Sequence, residues 1–193
     1  MNKIVLVKPV PAAPIPAQTQ INYWAVFCEA LNDAIEEIGQ NYFRVPRSGL
    51  DAVWRERAYC YELYHLLRCN LPKNFPYTLH GEIDKITHLA ITQHFGKMKR
   101  PNPDFIVHKP GDNGNDANFV VIEVKRSDAD PKLIKQDLWK IRKFMRHVGY
   151  QHGIMLFFGE QTPPDLSRLG SIEAIWHDEV GEAPVASNKG KFN

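Results

Sequence analysis

The 193-residue chain has no uninterrupted apolar run near the roughly twenty residues a membrane-spanning helix needs, so no span is expected. Cysteine is scarce: Cys28, Cys60 and Cys69 make an odd count without the paired spacing of a metal site or a disulfide framework. A reduced, cytoplasmic setting is the expectation that follows. No glycine-rich loop opens a helical pattern, and the eight histidines are scattered. Neither a phosphate-binding loop, nor a zinc site, nor a Ser-His-Asp arrangement is therefore legible. Internal repeats are missing too. Net charge is only +2, so bulk charge does not mark a polyanion binder.

What is present reads as one folded domain. The composition is 44% hydrophobic and 24% charged, ordinary for a globular protein, and the length suits a single core. Charge is unevenly placed. Residues 85 to 146 hold 13 Lys/Arg against 7 Asp/Glu, a local +6 within a net of +2, so the remainder is net −4. The opening segment, residues 1–20, carries Lys8 and four prolines (Pro9, Pro11, Pro14, Pro16) that interrupt its apolar run. That pattern predicts an extended arm with a short edge strand at Ile4 to Val7, not a signal peptide. The folded domain is expected over 21–179, and a flexible polar tail over 180–193.

Apolar positions spaced by three and four predict a helix from Ile21 to Ile38, ended by Gly39. A second, longer helix is expected over 49–70, with Val53, Trp54, Tyr61, Tyr64 and Leu67 as its buried stripe. "YTLHGEIDK" reads as a strand, and residues 85–100 as either a short helix or a long loop. Two strands, Asp104 to His108 and Phe119 to Lys125, flank the turn-rich "KPGDNGNDAN". Asp130 then serves as N-cap and Pro131 as first residue of a helix whose stripe is Ile134, Leu138, Ile141, Met145 and Val148. "HGIMLFFG" has the continuous apolar character of a doubly covered strand, and "SIEAIWHDE" reads as a last edge strand. The fold class expected is α/β, a mixed central sheet flanked by helices.

The charges in the central strands need a cause. In "FVVIEVK" alternation puts Val120, Ile122 and Val124 on one face, and Val121, Glu123 and Lys125 on the other. A carboxylate or ammonium in a core strand is costly unless it is paired or bound to a metal. If the two strands pair as a hairpin, Asp104 meets Glu123. Two carboxylates with a neighbouring backbone carbonyl make a hard, oxygen-rich seat for magnesium or manganese. Lys125, two residues on, is placed to orient a water or stabilise charge on a phosphate. His108 shares the strand face of Asp104, although such a histidine is more often a satisfied, half-buried one.

Pro103–Asp104, a gap of 18 residues between the acids, and Glu123-Val124-Lys125 on an apolar strand resemble the signature of the PD-(D/E)XK nuclease superfamily. The stretch from about 55 to 158 also resembles small prokaryotic proteins of that superfamily. The resemblance implies a restriction-endonuclease-like fold and magnesium-dependent phosphodiester hydrolysis of DNA, or less readily RNA. It also implies a further upstream glutamate that completes the metal shell with Asp104 and Glu123, for which Glu62 and Glu82 both qualify, Glu82 as a metal ligand. On the helix after the second strand, Lys135, Trp139, Arg142 and Arg146 suit phosphate contact and base stacking, against a plain solvated face. Gln136 has a counterpart in some superfamily nucleases, but Lys140 stands where an aromatic partner is expected. An inactive binding or interaction module on the same fold is the alternative. A homodimer or a regulatory protein partner stays open, as for a nuclease toxin or defence component.

Overall fold

The computed structural model describes residues 21–82, 102–112, 114, 116–160, 169–178, 180–181 and 185–186. The N-terminal arm, residues 85–100 and Asp84 lie outside the described residues. Helix α1 spans Tyr23–Glu36, with the Asn22 side chain accepting from the Ala25 amide at 3.2 Å, as an N-cap should. Its stripe of Phe27, Ala30, Leu31, Ala34 and Ile35 is buried. A one-turn helix α2 (Gln40–Phe43) follows.

The long helix expected over 49–70 is divided. Strands β1 (Val45–Arg47) and β2 (Leu50–Val53) form a small antiparallel hairpin, and helix α3 begins only at Glu56, running to Asn70. Gly49, at φ +68, makes the tight reversal that a helix could not contain. Val53 and Trp54 therefore lie before the helix. The buried face of α3 is Tyr59, Leu63 and Leu67, whereas Tyr61 is 66% exposed.

Strands β3 (Thr78–Gly81), β4 (Phe105–His108) and β5 (Asn118–Arg126) pair antiparallel in succession. Helix α4 (Pro131–Lys143), capped by Asp130, continues into a π-helical turn at Phe144–Val148. The chain then returns as β6 (His152–Phe158), parallel to β5. Strand β7 (Glu173–His177) adds in parallel, and β8 (Val185–Ala186) pairs antiparallel outside it. Thus β7 is not an edge strand, against the sequence expectation; the segment expected to be tail contributes the next strand. Among the described residues the sheet has six strands in the order β3-β4-β5-β6-β7-β8.

Strand parity separates the two cores. Val120, Ile122, Val124, Ile154, Leu156 and Phe158 pack with α1 and α3 on one face. Val121, Met155 and Phe157 pack with Ile134, Leu138, Ile141 and Phe144 of α4 and its π-helical turn on the other. Each such side chain, moved out of water, contributes roughly 1.5–3 kcal/mol. The fold is α/β, with a mixed sheet between two helical layers. On its β4 side, β5 overhangs: the last paired residues are Phe105 and Ile122, leaving residues 123–126 beyond the end of β4.

Candidate active site

The site is built on that overhang. Glu123 and Lys125 continue the face of Val121, toward α4. Asp104 sits one residue before β4, and continuing the Phe105–Ile122 register by one step sets it opposite Glu123. Its Oδ2 accepts from the Val124 amide at 2.7 Å, satisfying a donor that has no strand partner on this side among the described residues. The sequence expectation that these three residues share one end and one face of the sheet agrees with the geometry.

Glu123 is 1% exposed. Its Oε2 accepts from Lys140 Nζ at 2.8 Å, while its Oε1 is buried without a hydrogen-bond partner among the described residues. Lys140 also lies 3.3 Å from Asp137 Oδ1 and donates to the Asn102 carbonyl at 3.3 Å. Lys125 is held between Glu56 Oε1 at 3.2 Å and Asp137 Oδ2 at 3.1 Å. Four carboxylates (Glu56, Asp104, Glu123, Asp137) thus face two ammonium groups, and two negative charges are left over when all are ionised.

The electrostatics follow from burial. Desolvation pushes Asp104 up to about 6, although the Val124 amide and the two lysines oppose this and Glu56 adds to it. Desolvation likewise raises Glu123 well above the carboxylate range, reinforced by Asp104 and countered by Lys140. Burial works against the charge on both lysines, yet Asp137 and Glu56 raise Lys125, and Glu123 raises Lys140.

A carboxyl raised in the folded state holds a proton that the unfolded chain releases. The stability this contributes is present below the ordinary aspartate range, near 4, and is lost as pH rises through about 6. In chelated buffer, the stability of Asp104→Asn relative to the parent should therefore climb between pH 4 and pH 7. Denaturation across that range checks it; a pH-independent difference would remove the burial argument.

A hard divalent ion fits this donor set. It would complete the orphaned Glu123 Oε1, balance the two excess charges and lower both raised carboxyls. Among the described residues, no group of three or more His, Cys, Asp or Glu forms a metal cage.

The comparisons with known proteins add nothing to this: no family model, no curated protein and no solved structure matches the chain.

The remaining sequence expectations are distributed differently. The acid that α3 sends to the site is Glu56, nearly two turns before Glu62, which is half-buried elsewhere on the helix. Glu82 lies after β3, not within it, at φ +29; its side chain is 67% exposed and pairs with Arg57 at 4.0 Å. Its amide does bond the Asp104 carbonyl, and both residues line a cleft of about 410 Å³ with Glu56, Cys60, Tyr61 and Tyr64. His108 sits at the far end of β4 from Asp104, its Nε2 2.8 Å from His80 Nδ1, so it does not reach the site.

Lys135 and Arg146 are exposed, Trp139 is 38% exposed and Arg142 is half-buried. With 3.6 residues per turn, Lys135, Trp139 and Arg142 lie on the flank of α4 away from Asp137 and Lys140. Glu56, Asp137 and Lys140 are functional candidates that sequence reasoning misses. One signal exists: Asp137, three residues from Ile134 and four from Ile141, falls among the buried positions of α4, where an acid is out of place.

Among the described residues no helix is long and apolar enough to cross a membrane. Cys28, Cys60 and Cys69 are all free thiols.

Proposed function

We propose that this chain is a metal-dependent nuclease on a restriction-endonuclease-like fold, hydrolysing phosphodiester bonds of DNA. The observation carrying the reading is Glu123, buried with an orphaned oxygen, opposite Asp104 and two residues from Lys125. Asp104 and Glu123 would hold magnesium or manganese. When bound, such an ion supplies a Lewis acid and an activated water. Lys125, fixed by Glu56 and Asp137, keeps its proton and presents a charge to an attacking water or to a phosphate in the transition state. Glu56, paired with Lys125, positions that ammonium, a role distinct from the metal-shell role that the resemblance implied for Glu62 or Glu82.

The test is cleavage of plasmid, linear duplex and single-stranded DNA, with and without magnesium, by the parent and by Asp104→Ala. Magnesium-dependent cleavage that disappears in Asp104→Ala is the expected result. The second reading, an inactive nucleic-acid-binding or interaction module, draws on the lysines that already neutralise part of the acidic cluster. Binding without cleavage by either protein would favour it.

The stripe of Lys135, Trp139 and Arg142 on α4 belongs to the same proposal as a face that follows the duplex backbone. Lys135→Gln with Arg142→Gln should weaken DNA binding alike for all sequences and flatten its dependence on salt. The log–log slope should fall by roughly 0.9 for each phosphate that the variant no longer neutralises. Titrations at several salt concentrations measure this, and an unchanged slope would make the stripe a solvated face.

A further inference from the structure

Lys140 holds Glu123 Oε2, the oxygen beside the one left for a cation. Its ammonium is surrounded by three oxygens from three parts of the chain: Glu123 Oε2 on β5, Asp137 Oδ1 on α4 and the Asn102 carbonyl near Asp104. Its side chain is 14% exposed and that of its main partner 2%. A buried ammonium among convergent oxygens solves the same electrostatic problem as a hard metal ion, with one charge where the ion brings two.

We propose that Lys140 is a resident counter-ion, displaced from Glu123 when a divalent cation enters, and that it thereby weakens the cation affinity of the site. The inference rests on the metal-site reading above and gives Lys140 a positioning role within it. Asp137 makes the exchange feasible. It lies three residues before Lys140 on the same helix and already pairs with it, so the displaced ammonium keeps a buried partner. The bond to Asn102 extends the effect to Asp104, because the segment leading into that residue is tethered by the same ammonium.

The experiment is calorimetric titration of manganese(II) into the full chain and into Lys140→Gln, Lys140→Met and Lys132→Gln, with thermal unfolding in chelator and in saturating manganese. Lys140→Gln retains a hydrogen-bond donor to Glu123 without the charge, and Lys140→Met removes both. Lys132→Gln, exposed near the start of α4, controls for the removal of one positive charge from the helix. At least tenfold tighter manganese binding is expected for both Lys140 variants, and no such gain for Lys132→Gln. Both Lys140 variants should also melt lower than the parent in chelator and gain more from manganese. Unchanged or weaker binding in the two Lys140 variants would overturn the proposal, as would an equal gain in Lys132→Gln. If the parent binds manganese and Lys140 proves irrelevant, the metal site survives and the counter-ion does not. If neither the parent nor any variant binds manganese, both fall together.

Discussion

Glu123→Gln is expected to reduce magnesium-dependent DNA cleavage by at least about 10²-fold while leaving a folded protein. The substitution is close to isosteric, and the amide oxygen can still accept from Lys140 Nζ, 2.8 Å away. Packing at this 1% exposed position is preserved. What disappears is one of the two formal charges that would seat the cation, together with the raised carboxyl that Asp104 now confronts. The decisive comparison is cleavage rate beside circular dichroism and thermal unfolding on one preparation. A folded variant that cleaves at the parent rate would show Glu123 to be a structural acid and end the proposed mechanism.

Asp137→Ala should cost about 3 kcal/mol of stability, the low end of the range for a broken buried ion pair. Asp137 is 8% exposed and bridges both ammonium groups, with Oδ2 3.1 Å from Lys125 and Oδ1 3.3 Å from Lys140. Removing it leaves Lys125 to Glu56 and Lys140 to Glu123, so neither lysine is stripped bare, and that keeps the cost from reaching the upper end. Glu62→Ala, half-buried and outside the ion pairs of this network, should stay within about 0.5 kcal/mol. Urea denaturation of the two variants beside the parent measures the contrast. Equal stabilities would mean that the ion pairs do not hold the end of β5 against α4.

Local chemistry explains which parts of this arrangement can be read from the residues. The alternation of "FVVIEVK" assigns faces whatever the partner strands are, because side chains of a strand must alternate. The cap at Asp130–Pro131 is legible for a similar reason: capping depends on three or four neighbouring residues. The hairpin at 45–53 is not legible. Leu50, Val53 and Trp54 also fit a helical stripe, and the Gly49 turn that decides against it is a matter of one dihedral angle. Glu56 and Lys140 are hidden by distance. Lys125 and Glu56 are separated by 69 residues, and Glu123 and Lys140 by 17. Nothing about a glutamate in the first turn of a helix distinguishes one that reaches a strand end from one in water. Conversely, a strand through Glu82 would have protected its carboxylate; β3 ends one residue earlier, and the side chain is exposed.

The overhang of β5 beyond β4 has a consequence for self-association. Residues 123–126 have no strand partner on that side among the described residues, and a free strand edge is a template on which another chain can add. Here the template is blunted twice over. Asp104 Oδ2 takes the Val124 amide, withdrawing a donor an incoming strand would need, and the acid at Glu123 and the base at Lys125 interrupt an otherwise apolar segment. One carboxylate proposed for chemistry thus also closes the backbone donor at this strand end. Asp104→Ala would remove the carboxylate and reopen the amide, so preparations of that variant should form more high-molecular-mass material than Asp104→Asn, whose side-chain oxygen can still close the edge.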